Sequence, residues 1–317
     1  MRILVVGAGA IGGYFGGRLL QAGRDVTFLV RARRAAQLAQ TGLSIRSPAG
    51  DVTLPNPPLV MADALAAPYD LILVSNKAYD LAGAADSFAP ALGPDSAILP
   101  LLNGMAHLDY LKGRFGDRKV LGGQCVISAT LDNEGHILHL LETHNLSFGE
   151  LNGALSPRAE AIAATLAGAK FDSKLSTAIL QEMWEKWVFI ASTAAVTCLM
   201  RATVGDIVAA GAEDLSRRLF DECASIATAH GFEPREAARA RGLSMLTTPG
   251  SGFAASMLRD IERGAPTEAD HIIGDLLQRG ASVGGDFPLL RVAYAHLKAY
   301  EARRSRESAP ASLELSR

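Results

Sequence analysis

The sequence predicts an α/β fold class, in which an amino-terminal domain built on a parallel sheet precedes an all-helical domain. Three observations predict it. The chain opens on a short apolar run, Arg2 to Val6, that leads directly into glycines at positions 7, 9 and 12. Strand-like apolar runs then alternate with stretches of helical period through the first half. From Thr177 onward almost every stretch has helical period and few are extended.

The opening stretch, MRILVVGAGAIGGYFGG, carries the spacing G-x-G-x-x-G. Gly7 permits a tight turn, Gly9 leaves room for a pyrophosphate near the backbone, and Gly12 lets the following helix lie close to the strand. Free N–H groups and the positive end of that helix suit phosphate charge. A glycine loop alone is a weak signal, and a βαβ turn without ligand is the plain alternative. Here a strand precedes it, an amphipathic helix runs through Leu20, and a second strand follows over Asp25 to Val30. The context therefore favours a Rossmann-type dinucleotide-binding unit, with Gly7, Ala8, Gly9, Ala10, Ile11 and Gly12 as its cofactor loop.

The end of the second strand narrows the cofactor. A nonphosphorylated dinucleotide usually meets Asp or Glu about 20 residues after the glycines. This chain has Arg31 there, with Arg33 and Arg34 close behind. A guanidinium forks onto a 2′-phosphate that an acid would repel. The expected cofactor is NADP. The alternative is ordinary surface charge at a helix start, although helix starts prefer acids.

The remaining elements follow in order. Leu43 to Arg46 and Asp51 to Leu54 resemble a short hairpin around Ser47-Pro48-Ala49-Gly50. Tyr69 to Val74 is a buried strand that delivers Ser75-Asn76-Lys77 from its carboxyl end, where ligands of parallel sheets sit. Asp80 to Phe88 is a helix, and Ser96 to Leu102 a strand delivering Asn103-Gly104. Extended runs over 119–130, 135–141 and 145–149 suggest that the later sheet turns antiparallel. Ser156 and Pro157 start a helix to Leu166. Beyond it, Ile179 to Met200 is apolar on both faces and is expected at the centre of the second domain. Helices over 213–230, 234–246, 255–262, 267–278 and 288–302 complete that domain. The expected division is residues 1–172 for the NADP-binding domain, 173–303 for the helical substrate domain and 304–317 for a disordered polar tail.

Composition bounds the function. The 317 residues suffice for two cores, and 49% hydrophobic with 20% charged residues is an ordinary soluble balance. With a net charge of −2 and no long basic run, nucleic acid is not an expected partner. No apolar stretch reaches a membrane span, and the glycines interrupt what could pass for a signal peptide. Three widely spaced cysteines, Cys125, Cys198 and Cys223, suggest neither a disulfide framework nor a thiolate metal site. Cytoplasmic residence is expected, and no metal, since the seven histidines show no ligand pattern with acids. The apolar helices are compatible with a monomer or a homodimer.

Carbonyl reduction by a nicotinamide requires a group that stabilises charge growing on oxygen, and lysine can do so and then give up a proton. Lys77, at a strand end, and Lys186, in the apolar helix, are the candidates. Trp184, Trp187, Val188 and Phe189 around Lys186 imply a costly buried ammonium unless it is partnered. The alternative is a side chain that snorkels to solvent. Thr267 is a plausible N-cap that leaves Glu268 in a first helical turn. Glu268 either stabilises that helix end or orients a polar substrate, and Ser256 is either an N-cap or a donor to a substrate carboxylate.

Together these residues resemble the ketopantoate reductase (2-dehydropantoate 2-reductase) family over almost the whole chain, Met1 to about Ala302. The resemblance is carried by GAGAIGG, the strand end with Arg31, NKAYD around Lys77, LLNGM around Asn103, EMWEKW around Lys186, and SMLRDIERGAPTE ending at Glu268. It implies NADPH-dependent reduction of the C2 carbonyl of a small 2-oxo acid, foremost 2-dehydropantoate to pantoate. It further implies Lys186 as general acid and Glu268 as a substrate-positioning group. Asn103 would lie near nicotinamide and substrate, Lys77 would contact cofactor or substrate, and Ser256 would hold the carboxylate.

Three positions depart from the family pattern. Asparagines usual one and two helical turns after the lysine are Ile190 and Ala194, and another after Glu268 is Ile273. A site that loses a hydrogen-bonding group discriminates poorly for the hydroxyl that needed it. Two alternatives therefore remain: a reductase or dehydrogenase of another 2-oxo or 2-hydroxy acid with a less polar pocket, and a noncatalytic NADP-binding regulatory protein.

Overall fold

The computed structural model describes residues 1–308, and the chain divides into two compact units, Met1–Met183 and Trp184 onward. The first contains strands β1 (Arg2–Val6), β2 (Asp25–Leu29), β3 (Leu43–Arg46), β4 (Val52–Leu54), β5 (Leu59–Val60), β6 (Tyr69–Val74), β7 (Leu92–Pro100), β8 (Gly122–Leu131), β9 (Ile137–Gly149) and β10 (Asp172–Leu175). Its helices are α1 (Ala10–Gln21), α2 (Ala32–Thr41), α3 (Leu81–Phe88), α4 (Ala106–Phe115) and α5 (Pro157–Leu166).

One sheet has the order β5-β2-β1-β6-β7, with every pairing parallel. Its central strands are buried on both faces, which explains their unbroken apolar runs. Pro100 is tolerated because β7 lies at the edge of this order. The expected antiparallel continuation of this sheet is not what forms. The later strands build a second sheet, in which β9 pairs antiparallel with β8 along its length and parallel with β3 and β10. The β3–β4 hairpin joins the same sheet.

Helix α1 lies between the two sheets, and its glycines make the contact possible. A Cβ at Gly16 would stand 2.6 Å from Phe28 of the first sheet, and one at Gly17 2.7 Å from Leu43 of the second. Both lie well inside contact distance, so these positions accept only hydrogen.

The expected boundary at residue 172 lies ahead of the division between the compact units, which follows Met183. β10 pairs with β9 from Asp172↔Asn145 to Leu175↔Phe148, which ties it to the first unit. The break falls instead inside α6 (Ile179–Met200). Ser156 accepts from the Ala159 N–H as the cap of α5, at 3.2 Å.

The second unit continues α6 and adds α7 (Val204–Ala209), α8 (Glu213–Ala229), α9 (Glu236–Leu246), α10 (Ser256–Glu262), α11 (Asp275–Ser282) and α12 (Pro288–Ser308). A π-helical turn, Asp270–Gly274, leads into α11 where a regular helix is expected. Residues 304–308, expected in a disordered tail, continue α12. The rest of that tail lies outside the described residues. Among the described residues no helix is long and apolar enough to cross a membrane.

Candidate active site

The site in the first unit begins where β1 ends. Gly7 adopts φ +91°, a conformation that strongly favours glycine, and its N–H donates to the Leu29 carbonyl at 3.0 Å. A Cβ at Gly12 would overlap the Gly7 carbonyl oxygen and the Ser75 hydroxyl oxygen. That hydroxyl donates to the Val6 carbonyl at 3.0 Å. Gly9 differs: it is the N-cap of α1, supplies no side-chain cap, and a Cβ there would meet nothing within 4 Å. No acid occupies the first turn of α1. The loop thus presents an open floor beside an uncapped helix start, an arrangement suited to an anion.

A cavity of about 580 Å³ opens at this loop. Its walls come from the loop (Gly7, Ala8, Gly9), the β2 end (Leu29, Val30, Arg31) and α3 (Gly83, Ala84, Ser87). Val30, Met61, Ala84 and Leu131 add apolar side chains to the lining, a chemistry that suits an aromatic base. The charged groups on it are Arg31, Arg34, Asp63 and Asp80. Arg31 pairs with Asp80 at 3.0 Å. Arg34 donates through Nε to the Ala8 carbonyl at 2.9 Å and through Nη1 to Gln37 at 2.6 Å and the Gly135 carbonyl at 3.0 Å. It thereby ties the glycine loop to α2 and to the β8–β9 turn. Its Nη2 is buried without a partner, and burial lowers the guanidinium pKa from its ordinary value. A glycine cradle, a helix start, apolar lining and arginines together fit a dinucleotide.

Among the expected cofactor residues, Gly7, Ala8, Gly9 and Arg31 lie on this cavity. Ala10, Ile11 and Gly12 form the first turn of α1 and do not line the cavity. Lys77 is exposed, immediately before the short turn Ala78–Asp80, and Asn103 is half-buried in the bend after β7; neither lines the cavity. Sequence reasoning missed Asp80, Met61, Asp63 and Leu131. Asp80 was legible as part of the segment leaving β6, whereas Met61 comes from the loop after β5 and Leu131 from the end of β8, neither of which carries a motif.

The second unit holds Lys186, Glu268 and Ser256. Lys186 is half-buried on α6, next to the fully buried Trp187. The preceding Glu185 is gripped by Arg235 through Nε at 2.7 Å, Nη2 at 2.6 Å and the backbone N–H at 2.9 Å. Trp187 Nε1 donates to the Ile272 carbonyl at 2.8 Å, and the Ile272 N–H donates to the Glu268 carbonyl at 2.9 Å. Two hydrogen bonds thus join the neighbour of Lys186 to Glu268, which stands at the entrance of the π-helical turn. Such turns recur at functional sites.

The turn is anchored by Asp270, which accepts from Lys298 at 2.8 Å and from Tyr294 at 2.7 Å. Burial, joined by the Asp270 bond, pushes the Tyr294 phenol up to about 12. Thr267 Oγ1 accepts from the Ala269 N–H at 3.4 Å. Ser256 is not an N-cap; Ala255 holds that position, and Ser256 is the exposed first residue of α10. Of the three departures, Ala194 and Ile273 are buried and Ile190 is half-buried.

The histidines are not all apart from acids. His136 Nδ1 lies 2.9 Å from Asp132 and 3.4 Å from Glu134 in the β8–β9 turn. The Asp132 carboxylate also accepts from the backbone N–H groups of His136 and Glu134, at 2.8 and 3.0 Å, so these contacts lock the turn. The three cysteines form no disulfide and are buried, and burial pushes the Cys198 thiol up to about 12.

Known proteins share this architecture. The family model described as Ketopantoate reductase PanE/ApbA matches residues 3–153, and its C-terminal counterpart matches residues 178–301. An uncharacterized oxidoreductase of Bacillus subtilis, YkpB, is 37% identical over 305 residues, covering 96% of this chain and all of the relative. The 2-dehydropantoate 2-reductase of Archaeoglobus fulgidus is 29% identical over 287 residues, covering 90% of this chain and 92% of its own length. The crystal structure of 2-dehydropantoate 2-reductase from Geobacter metallireducens superposes with a TM-score of 0.85 at 28% identity, covering 94% of this chain and 99% of that one. With both units matched in order, the chain is an oxidoreductase belonging to the ketopantoate reductase family.

Proposed function

We propose that the protein is an NADPH-dependent 2-oxoacid reductase that acts on the C2 carbonyl of a small substrate, foremost 2-dehydropantoate, giving pantoate. One observation carries the cofactor assignment: the cavity at the carboxyl ends of the parallel strands joins the glycine loop to Arg31. In this reading Gly7 to Gly12 hold the pyrophosphate, and Arg31 faces the 2′-phosphate. Lys77 and Asn103 flank the nicotinamide and substrate. The cofactor, when bound, supplies the hydride.

The chain's own residues supply orientation and charge. Lys186 stabilises the growing alkoxide and donates its proton, while Glu268 positions the substrate and Ser256 binds its carboxylate. A cationic acid suits an anionic 2-oxo acid because it neutralises charge as it forms. Cysteines that form no disulfide fit a reducing cytoplasm, with the enzyme a monomer or homodimer.

A second reading is favoured by Ile190, Ala194 and Ile273, which replace amide groups: a reductase or dehydrogenase of a less polar 2-oxo or 2-hydroxy acid. Steady-state assays with NADPH across 2-oxo acids that include 2-dehydropantoate separate the two. The highest kcat/KM on 2-dehydropantoate supports the first reading. A higher value on an apolar 2-oxo acid supports the second, and binding without turnover on the whole panel overturns both.

A further inference from the structure

The four charged groups on the cavity are not equivalent. Arg34 is committed to three framework acceptors, the Ala8 and Gly135 carbonyls and Gln37. Arg31 is held by a carboxylate: its Nη2 donates to Asp80 Oδ1 at 3.0 Å, with side chains 77% and 38% exposed. Asp80 stands at the N-cap of α3 yet makes no side-chain cap bond there. Its carboxylate therefore serves Arg31 rather than its own helix. Both partners line the cavity, and the pair links the end of β2 to the segment that follows β6.

We infer that Asp80 is a cofactor-specificity residue, whose carboxylate competes with the 2′-phosphate for Arg31 and so sets the preference between NADPH and NADH. The inference rests on the reading that Arg31 faces the 2′-position of the bound dinucleotide. A 2′-phosphate takes up Arg31 only by breaking or sharing the Asp80 pair, and it brings negative charge toward the carboxylate. A 2′-hydroxyl does neither, and it can donate to Asp80 directly. Asp80 thus taxes NADPH selectively, making the site more even between the two cofactors than one with Arg31 alone.

The test is titration of the full-length protein with NADPH and with NADH, for wild type, Asp80→Asn, Arg31→Gln and the double variant. Asparagine keeps the shape and serves as well at an N-cap, so the fold is retained, and thermal melting checks it. In Asp80→Asn the Kd for NADPH falls by about threefold to fivefold, the scale of one exposed ion pair. The Kd for NADH stays level or rises. In the Arg31→Gln background, Asp80→Asn loses this effect, because the guanidinium under competition is gone. An unchanged NADPH to NADH ratio in Asp80→Asn, or an equal shift in the Arg31→Gln background, overturns the inference while leaving nicotinamide binding intact. Wild type that binds neither cofactor overturns the cofactor reading and the inference with it.

Discussion

Trp187 donates its indole N–H to the carbonyl oxygen of Ile272 at 2.8 Å, in a contact wholly removed from solvent. The bond joins the helix bearing Lys186 to the π-helical turn that follows Glu268. A buried carbonyl that loses its donor keeps its desolvation cost.

Trp187→Phe therefore lowers unfolding stability by about 1–3 kcal/mol, through the unpaired carbonyl and the smaller ring. Thermal or urea unfolding measures it. Because the bond supports the proposed acid and substrate-positioning groups, kcat falls as well while NADPH affinity holds. Unchanged melting would show that the bond contributes nothing net.

The glycine loop permits a sharper contrast. Alanine at Gly12 would drive a methyl into the Gly7 carbonyl and the Ser75 hydroxyl, and backbone cannot yield cheaply. Gly12→Ala is expected to cost about 1–3 kcal/mol as an overpacked contact and to weaken cofactor binding along with the fold. Alanine at Gly9 meets nothing within 4 Å and keeps an ordinary backbone conformation, φ −80°. Gly9→Ala should melt within about 0.5 kcal/mol of wild type yet lose roughly tenfold or more in NADPH affinity, since its methyl occupies the approach of the pyrophosphate. Calorimetric titration beside thermal melts separates the two variants. Normal affinity in Gly9→Ala would remove the loop from the cofactor site.

How much of this was legible depends on the range of the interaction. The β1–α1–β2 unit is local, and its apolar runs and glycine spacing encode it directly. The second sheet is not local: β9 pairs with β3 through Ile45↔Ile137 and with β10 through Asp172↔Asn145, and no nearby residue announces either register. The same holds for the site. Arg31 follows from its place after β2, whereas its partner Asp80 lies 49 residues away. The π-helical turn was illegible because Thr267 to Gln278 has ordinary helical period, and only the tertiary anchors of Asp270 on Lys298 and Tyr294 accompany the extra residue.

A pH dependence of stability follows from His139. Its side chain is 4% exposed. Nε2 lies 3.1 Å from the Thr143 carbonyl and must donate to it, so Nδ1 accepts from the Ser47 hydroxyl at 2.8 Å. Burial, above all, holds the His139 pKa below the ordinary histidine value, aided by His144 and Arg18 and opposed by the Thr143 bond. The unfolded chain then binds this proton more readily than the folded one. Stability is full above the unfolded pKa of about 6.5 and declines as pH falls from there toward the lower folded value. His139→Gln removes that component, so denaturant unfolding from pH 7.5 to 5 should show a shallower decline than wild type. Parallel slopes would mean that His139 takes up its proton equally in both states.

Replacement of Lys186 tests the chemistry itself. Lys186→Ala removes both the positive charge and the transferable proton, and kcat should fall by about 10²–10⁴, the usual contribution of a positioned acid. The Kd for NADPH should hold, since the cofactor cavity lies among residues of the first unit. Lys186→Arg divides the two contributions. A guanidinium keeps the charge but does not give up a proton at accessible pH. If charge stabilisation dominates, arginine restores most of the loss; if proton donation dominates, it restores little. Single-turnover oxidation of bound NADPH with a 2-oxo acid isolates this step from product release. A near-normal rate in Lys186→Ala would mean that another group protonates the alkoxide, and the assignment of the acid would fall.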